Sequence, residues 1–456
     1  MSLSEMMDIA RSALLTQQKA MGVTGHNIAN ANTPGYTRQI ARVTAAEPLR
    51  TPIGTIGRGV TMSAIDRARS GFLDSQYRTQ SGTLGYSSTM RDALGQVQDA
   101  YGEPSDSALG SGIDGFFSAW ADVANDPSNQ TPRNLLRQSA QSMVDQFHQL
   151  DQQLTAVGQN ARAQFQDAID TVNSITGQIA QLNGQIQSSR GTGGTASDLQ
   201  DQRDLLIDQL SQLVDTRVIT HGDGSVGVAA GGNLLVDGGS VQTLSVVDLA
   251  TGGFGAGIAG SAGVINTGQG QIGALAEFST TQLPAARARL DALAGALVAQ
   301  VNAAHTGGTT LAGATNVAFF DPAGTTAHSI ALSAQVQASL DNIAAGATAA
   351  PGDGSVALQL SQLSGTAVAA LGGQTIRGYY NDSVSNVASQ VRDATTSASA
   401  QNTLVANLDA QRTAESGVSV DEELTRMIEQ QQAYQAAAKM VNVADQMMQT
   451  VLSMVS

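Results

Sequence analysis

The sequence predicts a mainly α-helical chain with β insertions, its terminal helices pairing as a coiled coil and its domains discontinuous and nested. Three observations carry that prediction. Near the N-terminus Met7, Leu14, Met21 and Ile28 recur every seven residues, with Leu3 and Ala10 one helical turn away. Near the C-terminus Met427, Tyr434, Val441, Met448 and Val455 repeat the interval, flanked by Leu424, Ala438 and Leu452. A period of seven keeps one narrow apolar stripe toward a partner helix instead of a broad face toward a globular core. Between the ends, helical spacing gives way near residue 216 to β-branched runs separated by glycines, and later returns.

The first helix starts at Ser2, with Glu5 completing a capping box, and runs to Ala29. At helical rise it is about 40 Å long. It stops at Asn30-Ala31-Asn32-Thr33-Pro34-Gly35-Tyr36, where Asn, Pro and Gly supply turn geometry that no helix accepts. Residues 36–65, rich in β-branched residues, Pro and Gly, read as an extended arm with short strands. Helical spacing resumes at Asp66 and continues to Tyr101, with a shorter helix at Ile113 to Ala124. Leu135 to Ser188 carries a stripe at spacings of three and four through Met143, Phe147, Leu150, Leu154 and Val157, then Ile175, Ile179, Leu182 and Ile186. A glycine-rich turn at Gly191 to Gly194 leads to another helix, Asp198 to Val214, which makes this region a helical hairpin.

The period then switches. Arg217-Val-Ile-Thr and Ser225-Val-Gly-Val flank Asp223-Gly224, a hairpin turn signal. Leu234-Leu-Val and the run from Val241 follow, so this stretch is a small outer β domain. A helix covers Ala274 to Ala304, and the segment containing Phe319-Phe320 is a second inserted loop or β segment. The remainder is helical, broken near Ser416-Gly417, with Ser419 and Glu422 capping the last helix. The expected domains are 1–33 with 415–456 (terminal assembly), 34–65 (arm), 66–215 with 270–305 and 356–414 (helical), 216–269 (β) and 306–355 (second insertion).

Composition narrows the function. Aromatic residues are 4% and charged residues 13% of the 456, while glycine reaches 49. Such thin aliphatic cores suit long helix pairs better than a compact enzyme. A net charge of −15 opposes nucleic acid, whose phosphates it repels. Lys19 and Lys439 are the only lysines, so no polybasic tract faces a membrane, and no run of apolar residues is long enough to span one. With no cysteine, thiol catalysis, cysteine-held metal and disulfides are excluded together. The N-terminus lacks the basic region, apolar run and cleavage site of a secretory signal peptide.

No catalytic, cofactor or metal site emerges. Gly255, Gly257, Gly260 and Gly268, Gly270, Gly273 match a dinucleotide-loop spacing. The acid it requires about twenty residues on falls at Asp291, inside a helix rather than at a strand end. His26, His148, His221, His305 and His328 have no partner histidine at helical spacing, and His26 reads as a polar face residue. Asp421, Glu422 and Glu423 complement the dipole at a helix start. Met6, Met7, Met427, Met440, Met447, Met448 and Met454 follow the seams and read as packing groups.

The run Asn27-Ile28-Ala29-Asn30-Ala31-Asn32-Thr33-Pro34-Gly35-Tyr36 resembles the N-terminal signature of bacterial flagellar rod, hook and hook-associated proteins, and Tyr36-Thr37-Arg38-Gln39 extends it. At the other end Ser416-Gly417-Val418-Ser419-Val420-Asp421-Glu422-Glu423-Leu424, followed by Gln430-Gln431-Gln432-Ala433-Tyr434-Gln435-Ala436, resembles its C-terminal partner. Ala437 departs from the family's frequent Asn, and Met448-Gln449-Thr450 leans toward hook protein. Asp201-Gln202-Arg203-Asp204-Leu205-Leu206 and Phe278 to His305 resemble internal helices of the hook-associated members.

The resemblance implies a structural subunit at the hook–filament junction that assembles with its own copies. Hook protein would lie below, and a second junction protein and the flagellin filament above. It also implies a flagellar export chaperone and an extracellular location reached without a cleaved signal peptide. The alternatives are a hook or distal-rod protein, a secreted adhesin or effector, and a dinucleotide-binding enzyme.

Overall fold

The structure, a computed structural model, describes residues 3–51, 54–192, 194–250, 252–261 and 263–455. Helix α1 (Leu3–Ala29) leads into strands β1 (Gln39–Ala45), β2 (Leu49–Thr51), β3 (Gly54–Ile56) and β4 (Val60–Arg67). Helices α2 (Gly71–Tyr101), α3 (Leu109–Asn125), α4 (Gln130–Gly191) and α5 (Ser197–Leu213) follow. Next come β5 (Thr216–Thr220), β6 (Val226–Ala230), β7 (Asn233–Asp237), β8 (Ser240–Val241), β9 (Leu244–Asp248) and β10 (Phe254–Ile258). The chain closes with α6 (Gly270–Glu277), α7 (Leu283–Thr306), β11 (Thr309–Thr310), α8 (Ala334–Ala338), β12 (Ala344–Gly346), α9 (Ser355–Gln362), α10 (Ile376–Ser416) and α11 (Val420–Val455). It is mostly helical with small sheets. The start of the first helix expected at Ser2 lies outside the described residues.

Two compact units form, one from Met1–Thr83, Thr171–Leu244 and Gln401–Ser456, the other from Leu84–Asp170 and Ser245–Ala400. In the first unit α1 and α11 lie against one another. Thr24 Oγ1 donates to Gln430 Oε1 at 3.2 Å and Asn27 Nδ2 to Glu423 Oε2 at 2.9 Å. Position rises on one helix as it falls on the other, so the pair is antiparallel. The arm is a ribbon in which β1 pairs antiparallel with β4, Gln39 opposite Arg67, with a bulge between Arg42 and Val43. Because β4 continues to Arg67, the helix expected from Asp66 begins only at Gly71. The ribbon is tied to α1 by Thr16 Oγ1 donating to Val60 O and Val60 N–H donating to Ser12 Oγ, both at 3.3 Å.

The stretch 216–269 does not make one sheet. Strands β5 to β8 form a four-stranded antiparallel sheet in sequence order, turned at Asp223-Gly224 where Gly224 has φ +89°. Asn183 on α4 grips it, donating to Val226 O and Gly238 O at 2.8 Å and accepting from Val226 N–H. Strands β9 and β10 pair separately.

The second unit is built on the α4 stripe, where Met143, Phe147, Leu154 and Phe165 are fully buried, and on Leu290, Leu293, Leu297 and Val301 of α7. The expected helix at 274–304 is continuous but changes pitch, with a π-helical turn at Phe278–Gln282 just ahead of Pro284, whose missing N–H cannot join a regular ladder. The insertion at 306–355 is more than a loop. Phe319 and Phe320 are fully buried in an aromatic cluster with Phe116 and Trp120. Each such ring contributes area burial plus roughly 0.5–1.5 kcal/mol of ring–ring geometry.

His305 sits at the edge of that cluster, fully buried against Trp120 and Phe319. Its Nε2 accepts from Ala344 N–H at 2.8 Å, so the ring is neutral and Nδ1–H donates to Val317 O at 2.7 Å. Burial, with Arg133 nearby, pushes its pKa down to about 4. An unfolded imidazole takes up its proton near its ordinary value while the folded one stays neutral, so stability is full at neutral pH and falls as pH drops toward 4. Urea unfolding followed by the fluorescence of Trp120, the single tryptophan, is expected to show about 2 kcal/mol lost between pH 7 and 5. His305→Asn is expected to be less stable at pH 7 and to lose this slope; an unchanged slope would count against the assignment.

Candidate assembly site

The break after α1 is organised by Asn27, which is buried. Its Nδ2 donates to Glu423 Oε2 and to Gln39 O, both at 2.9 Å, and its Oδ1 accepts from Gln39 N–H at 2.9 Å and Tyr36 O–H at 2.8 Å. One amide thus satisfies α1, the strand that follows the turn, and α11. Asn30 closes the helix by donating from Nδ2 to His26 O at 3.0 Å, and Thr33 Oγ1 donates to Asn30 Oδ1. Gly35 turns with φ +78°, a conformation L side chains rarely take. Asn32 and Pro34 are exposed. Burial, then Asp198, Asp201 and Glu423, hold the Tyr36 phenol above its ordinary value, so it stays a donor.

The C-terminal signature meets this turn. Arg38 N–H donates to Ser416 O at 2.8 Å, and its side chain reaches Glu422 at 3.3 Å. A Cβ at Gly417 would stand 2.4 Å from Thr413 O, so only glycine lets the backbone turn there. Ser419 Oγ accepts from Glu422 N–H over a long 3.5 Å; the Glu422 carboxylate, expected to complete the box, faces Arg38 instead. Glu423 is not merely a dipole-complementing acid: it is 1% exposed, bonded to Asn27 and to Arg426.

Beneath the turn lies a lattice of arginines and aspartates that the periodicity did not reveal. Arg67 at the end of β4 contacts Asp201 and Asp204 of α5, both at 2.8 Å. Arg69 reaches Asp204 at 2.6 Å and Asp74 of α2 at 2.5 Å. Arg78 binds Asp208 at 2.6 Å, and Arg412 of α10 binds Asp208 at 2.7 Å and Asp74 at 3.0 Å while lying over the Tyr77 ring. Asp201 Oδ2 also accepts from Thr37 N–H at 2.9 Å, which fixes the motif turn to the lattice. Burial raises the pKa of Asp204, but Arg69, Arg67 and Arg78 outweigh it and hold the carboxyl below its ordinary value. The signal for this site is present in the sequence as three aspartates, Asp201, Asp204 and Asp208, at helical spacing opposite Arg67 and Arg69.

The seam residues occupy the flanks of the helix pair. Leu3, Met7, Leu14, Met21 and Ile28 are half-buried, as are Met427 and Val441, whereas Leu424, Tyr434, Met448 and Leu452 are exposed. The side chain of Val455 lies outside the described residues. The buried stripe on α11 is Glu423, Ala437 and Ala444, with half-buried Gln430 on the same line. It has the same seven-residue interval, four positions ahead of the large apolar set. Small residues at the contact let two backbones approach closely, which leaves the large ones beside the seam. Ile428, Met440, Val443, Met447, Val451 and Met454 add to the apolar surface, from 42% to 80% exposed.

Other candidates resolve into structure. Val264 bridges Gly257, a Cβ on Gly273 would crowd Thr267 O at 3.0 Å, and Asp291 accepts from Ala327 N–H. His26 lies 3.3 Å from Asp198 and edge-on to Tyr36. Among the described residues no group of acids and histidines could hold a metal ion, and no helix is long and apolar enough to cross a membrane.

Comparison with known proteins gives the geometry its context. Residues 94–320 match the family model described as the flagellar hook-associated protein FlgK helical domain. Residues 7–37 match the flagella basal body rod protein model, and 410–454 the flagellar basal body rod FlgEFG protein C-terminal model. Flagellar hook-associated protein 1 of Bacillus subtilis is 29% identical over 98% of this chain and 97% of its own length. The chain belongs to the flagellar hook-associated protein family. The hook-associated protein 1 of Salmonella typhimurium is 29% identical over 54% of this chain and 45% of its own. The flagellar hook junction protein FlgK from Burkholderia pseudomallei shares the fold, with a TM-score of 0.65 at 17% identity over 76% of this chain and all of that one.

Removing Asp204 takes one of two carboxylate partners from each of Arg67, Arg69 and Arg78, which keep Asp201, Asp74 and Asp208. Asp204→Ala is therefore expected to cost about 3 kcal/mol in urea unfolding followed by far-UV circular dichroism, the lower end for a broken buried pair. Arg42→Ala, which breaks a solvent-exposed pair with Asp66, is the control and is expected to change little. Equal effects of the two would contradict the lattice.

Proposed function

We propose that this chain is a structural, non-catalytic subunit of the bacterial flagellum that joins hook to filament by assembling through its terminal helices as a coiled-coil layer. What carries the reading is the apolar surface of α11, left exposed along most of a helix whose inner stripe is already occupied by α1. An exposed apolar stripe of this extent marks an interaction surface. The family membership supports a flagellar partner, and the repeated seven-residue interval supports helices of further copies. Hook protein would lie on one side, a second junction protein and the flagellin filament on the other. The subunit would act outside the cell, escorted by an export chaperone. A thiol-free chain suits that route, since nothing in it cross-links on exposure to oxidants.

Assembly and ordering of the ends would be coupled. Each large seam side chain, once fully buried by a neighbour, contributes roughly 1.5–3 kcal/mol. That gain offsets the entropy of ordering a helix only when neighbours are present. Slow amide exchange in assembled junctions with fast exchange at both ends of the free chain is the expected signature.

Met448→Asp and Leu14→Asp are each expected to abolish assembly while the four-stranded sheet and the aromatic cluster stay folded. In cells carrying either variant, hooks would be bare and filament subunits shed. Normal filaments would overturn the seam assignment. Labelled protein along the whole hook, instead of a band at its tip, would decide for a hook or rod subunit.

A further inference from the structure

A cleft of about 920 Å³ opens in the first unit beside the arginine–aspartate lattice. It is lined by Arg67, Arg69, Arg78, Arg190, Arg203 and Arg217, a concentration of positive charge in a chain whose net charge is −15. The lining carboxylates are Asp74, Asp204 and Asp215, half as many. The first two are already engaged by Arg67, Arg69 and Arg412.

Arg203 is the odd group on the floor. It is 4% exposed, yet its Nη1 donates to neutral oxygens, Asn183 Oδ1 at 3.1 Å and Gly224 O at 2.8 Å, and its Nε–H has no acceptor. Burial depresses its pKa, Asp204 opposes, and Arg67, Arg69 and Arg78 repel it. A buried guanidinium hydrogen-bonded to no carboxylate, with three others near it and Asp204 opposing them only through space, is an incompletely compensated positive charge. At the mouth stand Arg190 and Arg217, both exposed. Among the described residues neither side chain has an ion-pair or hydrogen-bond partner. Arg190 lies over the Gly224 turn, its Nε 2.6 Å from where a Cβ on Gly224 would stand, with its guanidinium still unpaired.

We propose that this cleft binds a small oxyanion of two or more negative charges, of the phosphate or pyrophosphate class, with Arg190 and Arg217 closing on it from the mouth and Arg203 supplying the field from the floor. Guanidinium forks match the oxygen spacing of such ions and hold them bidentately, which a monovalent halide cannot exploit. Hydroxyls of Ser75 and Thr220 on the same walls offer further donors. The neighbouring Asp204 does not repel the ion strongly, because its carboxylate is already saturated by arginines.

The test is calorimetric titration of the full chain with pyrophosphate at pH 7.5, ionic strength being held constant with sodium chloride. Saturable binding is expected, weakened tenfold or more in the Arg190→Ala/Arg217→Ala double variant. Because both side chains are exposed and unpaired, the variant's circular dichroism and urea midpoint should match the parent, which separates loss of the site from loss of the fold. No saturable heat beyond the chloride control, or a weakening of less than tenfold in the double variant, would overturn the proposal.

Discussion

The carboxylate of Asp204 is the point on which the first unit turns. Arg67, Arg69 and Arg78 converge on it from the end of β4, the following loop and α2, and Asp208 and Asp74 extend the lattice to Arg412 on α10. Segments far apart in sequence are therefore joined by charge. Buried ion pairs of this kind return little net stability relative to well-packed apolar groups, because each ion must first leave water. What they return is geometry, since a guanidinium fork accepts carboxylates from few directions. In a chain with 4% aromatic residues, directional contacts supply a definition that bulky side chains would otherwise give.

The same logic runs upward into the motif turn. Thr37 hangs from Asp201, Gln39 from Asn27, and Glu423 from Asn27, so the first and last helices are registered by polar contacts at one end of the pair. Farther along, the buried apolar residues are Val23 and the alanines Ala10, Ala20, Ala437 and Ala444, most of them too small to specify register by shape. Placing the specific bonds at one terminus lets the rest of the interface be narrow and permissive.

Much of this was legible. The helix limits at Ala29 and near Ser416, the hairpin at Asp223-Gly224 and the paired terminal signatures all rest on local chemistry, which a sequence displays directly. The lattice was harder to see because its arginines are scattered from Arg67 to Arg412, and the helical spacing of Asp201, Asp204 and Asp208 does not say which cations they meet. The expected seam and the buried stripe of the helix pair are different lines on α11. Large apolar residues at intervals of seven mark the flank of the α1–α11 contact, whereas its centre is marked by Ala437 and Ala444, whose small size carries almost no hydrophobic signal. Phe319 and Phe320 were placed in an insertion because glycine and threonine surround them, although two adjacent aromatics in an aromatic-poor chain are themselves a core signal.

The position of the large apolar residues beside the buried stripe has a physical meaning on the proposed reading. A helix that must bind one partner within its own chain and others outside it cannot spend its largest side chains on the first. With alanines inside, α1 and α11 pack closely at small hydrophobic gain, and the pair alone is only weakly stabilised. With Met440, Met447, Met448 and Met454 outside, most of the available apolar area is reserved for neighbours. Methionine suits that surface because its flexible thioether fits neighbours that need not be identical. Such tolerance is what a subunit between a hook and a filament requires, since the proteins above and below it differ.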